Sequence, residues 1–257
     1  MGFVKTADEM ARIQHELSTP RFMAIERLSV QFRTDPEVLR LLLPPPLEPA
    51  DDPIAVATIG RWHSNCLGDF DGGSIYLPAR WNGIDGAYVL ALFMDTEPPT
   101  NYGRDLFGEP KKLARTTMVR DGDHVHAWIE RHGVRIIEIE TDLTEDLGPT
   151  VTDRSTFNIK SRSSAGGYGL EEDAILTRTQ FHTEVDSRRT GPATLALRSS
   201  PHDPIGELPV VELLGATYAV EDSRGVCEPV ATIPANVFLP YHLGQMDDYL
   251  SLNTIPE

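Results

Sequence analysis

The chain has 257 residues, 40% hydrophobic and 24% charged, with 20 glycines and 20 prolines scattered rather than gathered into tracts. That composition supports a packed core and excludes general disorder. A net charge of -16 at pH 7 repels phosphate backbones and anionic lipid surfaces, so neither nucleic acid nor membrane is an expected partner.

Met10, Ile13 and Leu17 recur at helical spacing and predict a short amphipathic helix over 7–17. A strand over 25–32 follows. In RTDPEVLRLLLPPP, Thr34 and Glu37 have capping-box spacing, Pro36 suits a first turn, and Pro44 to Pro46 stop a helix that buries Val38, Leu39 and Leu42. The rest reads mainly as short strands: 54–62, 86–94, 113–120, 124–131, 134–142, 174–185, 193–198, 210–220 and 226–233. Asp121-Gly122-Asp123 and His132-Gly133 sit between consecutive strands as hairpin loops, and residues 161–173 read as a surface loop. So many strands with so few helices predict an α+β chain, predominantly antiparallel β, whose sheet curls or closes into a barrel within one domain over 1–257.

Cys66 and Cys227 lack metal-binding spacing and are too few for a disulfide framework. His124 and His126 share one strand face, but no third metal ligand stands at a fixed spacing, so no metal site is expected. There is no apolar run of membrane-spanning length and no apolar leader at the N-terminus, which places the expected location in the cytoplasm.

One segment carries chemistry. GRDLFGEPKKLA, residues 103–114, puts two lysines between a proline and an apolar strand. Strand alternation sends Lys111 and Lys112 to opposite faces, so one enters the interior. Desolvation favours a neutral amine, the form that attacks a ketone to give an imine. A non-catalytic barrel in which Lys111 is only a counter-ion to a bound carboxylate is the competing reading.

The PKK segment resembles that of the acetoacetate decarboxylase family. So, in order, do RTDPEVLRLLLPPPLEP (33–49), YLPARWNGIDGAYVLALFMDTEPP (76–99), TGPATLAL (190–197) and LPVVEL (208–213). The resemblance implies a closed β-barrel or cone with a few short helices, a homo-oligomer (tetramer or larger), no cofactor, Lys111 as the Schiff-base lysine and Lys112 as its companion. It also exposes a departure. The family's glutamate position falls on Gly72 or Gly73 and its arginine position on Ile25, with Asp71 and Arg27 nearby as substitutes.

By resemblance to relatives that lack the same residues, those losses point from decarboxylation of a β-keto acid towards pyruvate aldolase-dehydratase chemistry or its reverse, the hydration and retro-aldol cleavage of a 2-oxo-3-enoic acid, with a small keto acid such as pyruvate as the implied substrate. Tyr241 is the expected proton donor and Glu109 the expected base beside the imine. Tyr76, Arg80 and Tyr88 are the candidates for holding the substrate carboxylate, and Lys112 and Arg27 are the other expected substrate-binding residues.

Overall fold

The structure, a computed structural model, describes residues 2–246. The chain opens with α1 (Ala7–Ser18), β1 (Arg21–Arg33), α2 (Pro36–Leu42) and a short β2 (Glu48–Pro49), followed by β3 (Ile54–Ser64), β4 (Gly68–Trp81) and β5 (Ile84–Met94). Helix α3 (Glu97–Tyr102) runs into a π-helical turn (Gly103–Phe107) that delivers the chain to β6 (Lys111–Leu113). Next come β7 (Arg115–Asp121), β8 (His124–Arg131), β9 (Val134–Asp142), β10 (Glu145–Asp146), β11 (Thr150–Lys160), β12 (Ala174–Gly191) and β13 (Ala193–Leu197). The last elements are β14 (Glu212–Ile233) and α4 (Ala235–Gln245).

Seven strands close into a barrel in the order β4-β3-β1-β14-β12-β11-β5, because β5 pairs back onto β4. All its pairings are antiparallel except β5 with β11, where Thr156 faces Ala87 and Phe157 faces Tyr88. Strand β6 lies parallel to β5, outside the ring order. A second, four-stranded antiparallel sheet runs β13-β9-β8-β7.

Alternation along β8 explains the packing between the two sheets. Val125, Ala127 and Ile129 are fully buried, while His124, His126 and Trp128 on the other face are partly exposed. They join one apolar cluster with Leu28, Val30, Phe32, Ile59 and Ile75 from the barrel's outer face. Each such large aliphatic side chain contributes ~1.5–3 kcal/mol by burial, so the main core lies outside the barrel wall. The inner face carries a smaller apolar cluster of Phe70, Val89, Leu92 and Met94, against which Phe22, Trp62, Leu67 and Tyr76 pack. The remainder of the lumen is polar, and that division positions the site.

Four sequence expectations are corrected. Helix α2 is capped by Asp35, whose carboxylate accepts from the Glu37 and Val38 amides, not by Thr34, which is buried. The capping box belongs to α1, between Thr6 and Glu9. Strands β4 and β11 and helices α3 and α4 are additional elements. The two expected strands over 210–220 and 226–233 are one continuous β14.

Candidate functional site

Lys111 reaches the lumen by strand register. It pairs with Leu92 and shares that residue's inner face, whereas Lys112 pairs with Phe93, a residue of the outer core. The π turn and Gly108 set the approach. Gly108 has φ +76°, and a Cβ there would lie 2.4 Å from the Lys160 backbone nitrogen, so only glycine fits. The next two residues bring Glu109 back towards Lys111, whose Nζ lies 2.8 Å from Glu109 Oε2, both side chains being almost fully buried. Gly103 clears the space for that pair, since a Cβ there would stand 2.2 Å from Glu109 Oε2 and 2.6 Å from Lys111 Nζ. Tyr102 is close by and donates from its hydroxyl to the Leu17 carbonyl. Burial, with the neighbouring Cys66, Glu109 and Cys227, pushes the Tyr102 phenol well above its ordinary range and keeps it neutral. A buried amine in contact with one carboxylate can pass its proton to that carboxylate and attack a carbonyl, and the resulting acid can return the proton as water leaves.

The lumen opens into a cavity of about 540 Å³ lined from all seven barrel strands. Arg27 projects into it, and its Nη2 donates to Glu221 Oε2 at 2.9 Å. Burial and then repulsion from Arg154 lower the Arg27 pKa to about 10, against the opposing pull of Glu221. Arg27 Nε and Glu221 Oε1 have no hydrogen-bond partner among the described residues, and neither does the Asn158 amide. Tyr76 lines the same cavity.

The other expected site residues lie elsewhere. Lys112 stands outside the barrel, where its Nζ donates to Asp203 Oδ1 at 2.9 Å and to the His202 and Met246 carbonyls. Arg131 Nε donates to the other Asp203 oxygen at 2.7 Å. Burial alone raises a carboxyl pKa, but Lys112, Ser200 and Arg131 hold that of Asp203 below its ordinary value. Lys112, Tyr88 and Tyr241 line a separate, largely apolar cavity of about 480 Å³ on the outer face. Tyr241, the expected proton donor, thus lines a pocket whose lining includes Lys112 and not Lys111. Tyr88, likewise on the outer face, accepts a hydrogen bond from Gln245. Arg80 is engaged at the barrel rim by Asp51 and Asp85. Asp71 points out of the barrel towards Arg61, 3.7 Å away, and the carboxylate that meets Arg27 is that of Glu221.

Sequence reading missed Glu221, Asn158, Thr179 and Gly103. Glu221 sits in AVEDSRG, which reads as a solvated charge run, and its burial follows only from closure of the barrel. The one local hint is alternation, since Tyr218 and Ala219 begin a stretch whose apolar pattern predicts an inward position two residues on.

The family model described as acetoacetate decarboxylase (ADC) matches residues 9–230. An acetoacetate decarboxylase from Burkholderia vietnamiensis (strain G4 / LMG 22486) is 31% identical over 213 residues, covering 79% of this chain and 84% of that protein. One from Burkholderia multivorans (strain ATCC 17616 / 249) is also 31% identical, over 215 residues, with the same coverage. Among solved structures, the acetoacetate decarboxylase of Legionella pneumophila superposes with a TM-score of 0.76 at 23% identity, covering 83% of this chain and 87% of that one. MppR, an enduracididine biosynthesis enzyme complexed with the condensation product of pyruvate and imidazole 4-carboxaldehyde, has the same fold at a TM-score of 0.70 and 18% identity, covering 82% and 88%. These matches, spanning most of the chain, establish that the protein belongs to the acetoacetate decarboxylase family.

Proposed function

We propose that the protein is a cofactor-independent Schiff-base lyase for small 2-keto acids, with Lys111 as the imine-forming residue and Glu109 as its proton-transfer partner. The observation that carries this reading is the buried contact of 2.8 Å between Lys111 Nζ and Glu109 inside a closed barrel. Glu109 takes the ammonium proton, and the free amine adds to the C2 carbonyl of pyruvate. Loss of water, assisted by the protonated Glu109, gives the iminium. Removal of a C3 proton by the same carboxylate gives the enamine, whose C3 bonds to the carbonyl carbon of an aldehyde. Elimination of a second water and hydrolysis from Lys111 release a 2-oxo-3-enoic acid and restore the amine. The net change is pyruvate plus aldehyde to enoic acid plus water, and every step is reversible. The MppR complex supports the choice of pyruvate and aldehyde as reactants.

A second reading, decarboxylation of a β-keto acid, is favoured by Arg27 and Glu221. They form a buried arginine-carboxylate pair, while by the resemblance the family's glutamate position falls on Gly72 or Gly73 and its arginine position on Ile25. The test is intact-mass measurement after borohydride reduction, with pyruvate and acetoacetate supplied separately to wild type and to Lys111→Ala. A pyruvate adduct lost in Lys111→Ala, without carbon dioxide release from acetoacetate, supports the aldolase-dehydratase reading. An adduct with rapid carbon dioxide release supports decarboxylation. Absence of any adduct leaves a binder in which Lys111 is only a counter-ion.

A further inference from the structure

The lumen differs from an ordinary protein interior in its chemistry. Apolar side chains are the default filling of a small barrel, yet Ser29, Gln31, Thr58, Thr152, Thr156 and Thr217 face this cavity from four of its strands. The cavity on the outer face, lined by Val38, Leu42, Leu90 and Phe93, shows what an apolar pocket in the same molecule looks like.

The charged groups of the lumen are largely engaged already. Arg27 pairs with Glu221 at 2.9 Å, Asp85 receives Arg80 at 2.6 Å, and Asp153 accepts from His182 at 2.8 Å. Arg188 donates to the Gly148 carbonyl at 3.2 Å. The Arg154 guanidinium, 5.3 Å over the Phe181 ring, also lines the cavity, and the rest of the polar lining is neutral hydroxyl and amide.

From the cavity, polar side chains continue towards Lys111. Thr156 and Asn158 alternate onto the inner face of β11, Thr156 pairs with Thr179, and Thr179 pairs with Cys227. Thr177, paired with Asn158, donates from its hydroxyl to the Phe107 carbonyl at 2.6 Å, so the track ends at the turn that carries Glu109, and Glu109 is among the groups that act on the Cys227 thiol, which burial pushes up. Along it both polar atoms of the Asn158 side chain are buried without a hydrogen-bond partner among the described residues, and the Thr179 hydroxyl is met only by the Cys227 thiol. Buried polar atoms are costly to leave unpaired, and a site built to hydrogen-bond hydroxyls rejects analogues that lack them.

We infer that the aldehyde joined to the keto acid at Lys111 is a short, neutral, polyhydroxylated one, whose hydroxyls bond to Thr179, Asn158 and the Thr156 side of the lumen. This inference rests on the Schiff-base reading above. The covalent chemistry is unchanged; the aldehyde's substituent is the part assigned.

The test offers pyruvate at saturation with glyceraldehyde or erythrose on one side and hexanal or benzaldehyde on the other. The readout is kcat/KM for the 2-oxo acid product by mass spectrometry, alongside borohydride trapping of pyruvate alone. The expected result is at least a tenfold preference for the hydroxylated aldehydes. In Thr156→Val the ratio of hydroxylated to apolar kcat/KM falls about fivefold to tenfold, the loss of one neutral hydrogen bond, and Thr156→Ser restores it. A trapped pyruvate adduct with equal or higher kcat/KM for the apolar aldehydes overturns the inference while leaving the lyase reading intact. Failure to trap pyruvate at all overturns both.

Discussion

Lys111 and Lys112 are neighbours in sequence, but the pleat of one three-residue strand gives them different partners. Lys112 faces Asp203, two carbonyls and the Arg131 network, while Lys111 faces Glu109, from which a proton can be returned to a reacting atom. Glu109→Gln keeps the shape and a hydrogen-bonding group but removes the proton acceptor. It is expected to lower kcat about 10²- to 10⁴-fold, the usual contribution of general acid-base catalysis, and to slow trapping of pyruvate. Wild-type turnover in that variant would remove Glu109 from the mechanism. Arg27 and Glu221 set a different test, because each is the other's charge partner in a buried place. Either Arg27→Met or Glu221→Leu alone leaves one charge uncompensated, at a cost of ~3–5 kcal/mol, whereas the double variant costs much less than the sum. Urea unfolding of the four proteins measures the coupling, and additive losses would show that the pair is not coupled.

At the scale of elements, α4 is tied to the chain that follows β11. His242 Nδ1 and Nε2 lie 2.8 and 2.7 Å from the hydroxyls of Ser161 and Ser163. Burial and then Arg104 pull the imidazole below its ordinary value. A histidine depressed in the fold binds fewer protons folded than unfolded, so stability falls as pH drops below the unfolded value of about 6.5 and through the folded one. Protection factors in α4, which correct for the intrinsic pH dependence of exchange, are therefore expected to fall between pH 7 and 5 more than those in β8, and His242→Gln is expected to flatten that dependence. An unchanged profile in the variant would assign the acid sensitivity to another group.

The elements also show what sequence could reveal. Strands β8 and β9 were legible to their end residues because alternation and two glycine turns coincide there. Strand β4 was hidden by Gly72, Gly73 and Pro78. The glycines are needed because a Cβ on Gly72 would lie 2.4 Å from the Phe93 carbonyl, and one on Gly73 2.2 Å from that of Thr58. Strand β11 was hidden for the opposite reason: its inward residues Thr152, Thr156 and Asn158 face a polar lumen, so the apolar alternation that betrays a strand is missing. Helix α4 contains Pro240 and is apolar on most sides, which masks helical periodicity. Lys111 and Glu109 were legible because their motif is local, whereas Glu221 reaches Arg27 across 194 positions and becomes visible only once β1 and β14 pair.

For the whole molecule, the decisive event is closure of the barrel, since the lumen that holds Lys111 has no far wall until β5 meets β11. That seam is parallel and short, with two register pairs, against the long antiparallel ladders elsewhere. Gly86 lies beside it, where a Cβ would come within 2.7 Å of the Phe157 ring and 2.8 Å of the Ser155 carbonyl. Phe157 is fully buried in the main core and cannot yield without disturbing it. Gly86→Ala is therefore expected to lower stability by ~1–3 kcal/mol, the range for overpacking. It should also speed hydrogen exchange in β5 and β11 before the β8–β9 hairpin is affected. Gly166→Ala, with open space around the added methyl, serves as the comparison and leaves both measurements unchanged. Because Lys111 sits on β6, whose strand partner is β5, a loosened seam also admits water to the ion pair, and pyruvate trapping in Gly86→Ala is expected to fall. Full trapping with accelerated exchange at the seam would mean that β4, β5 and β6 hold the lysine in place without the closed wall.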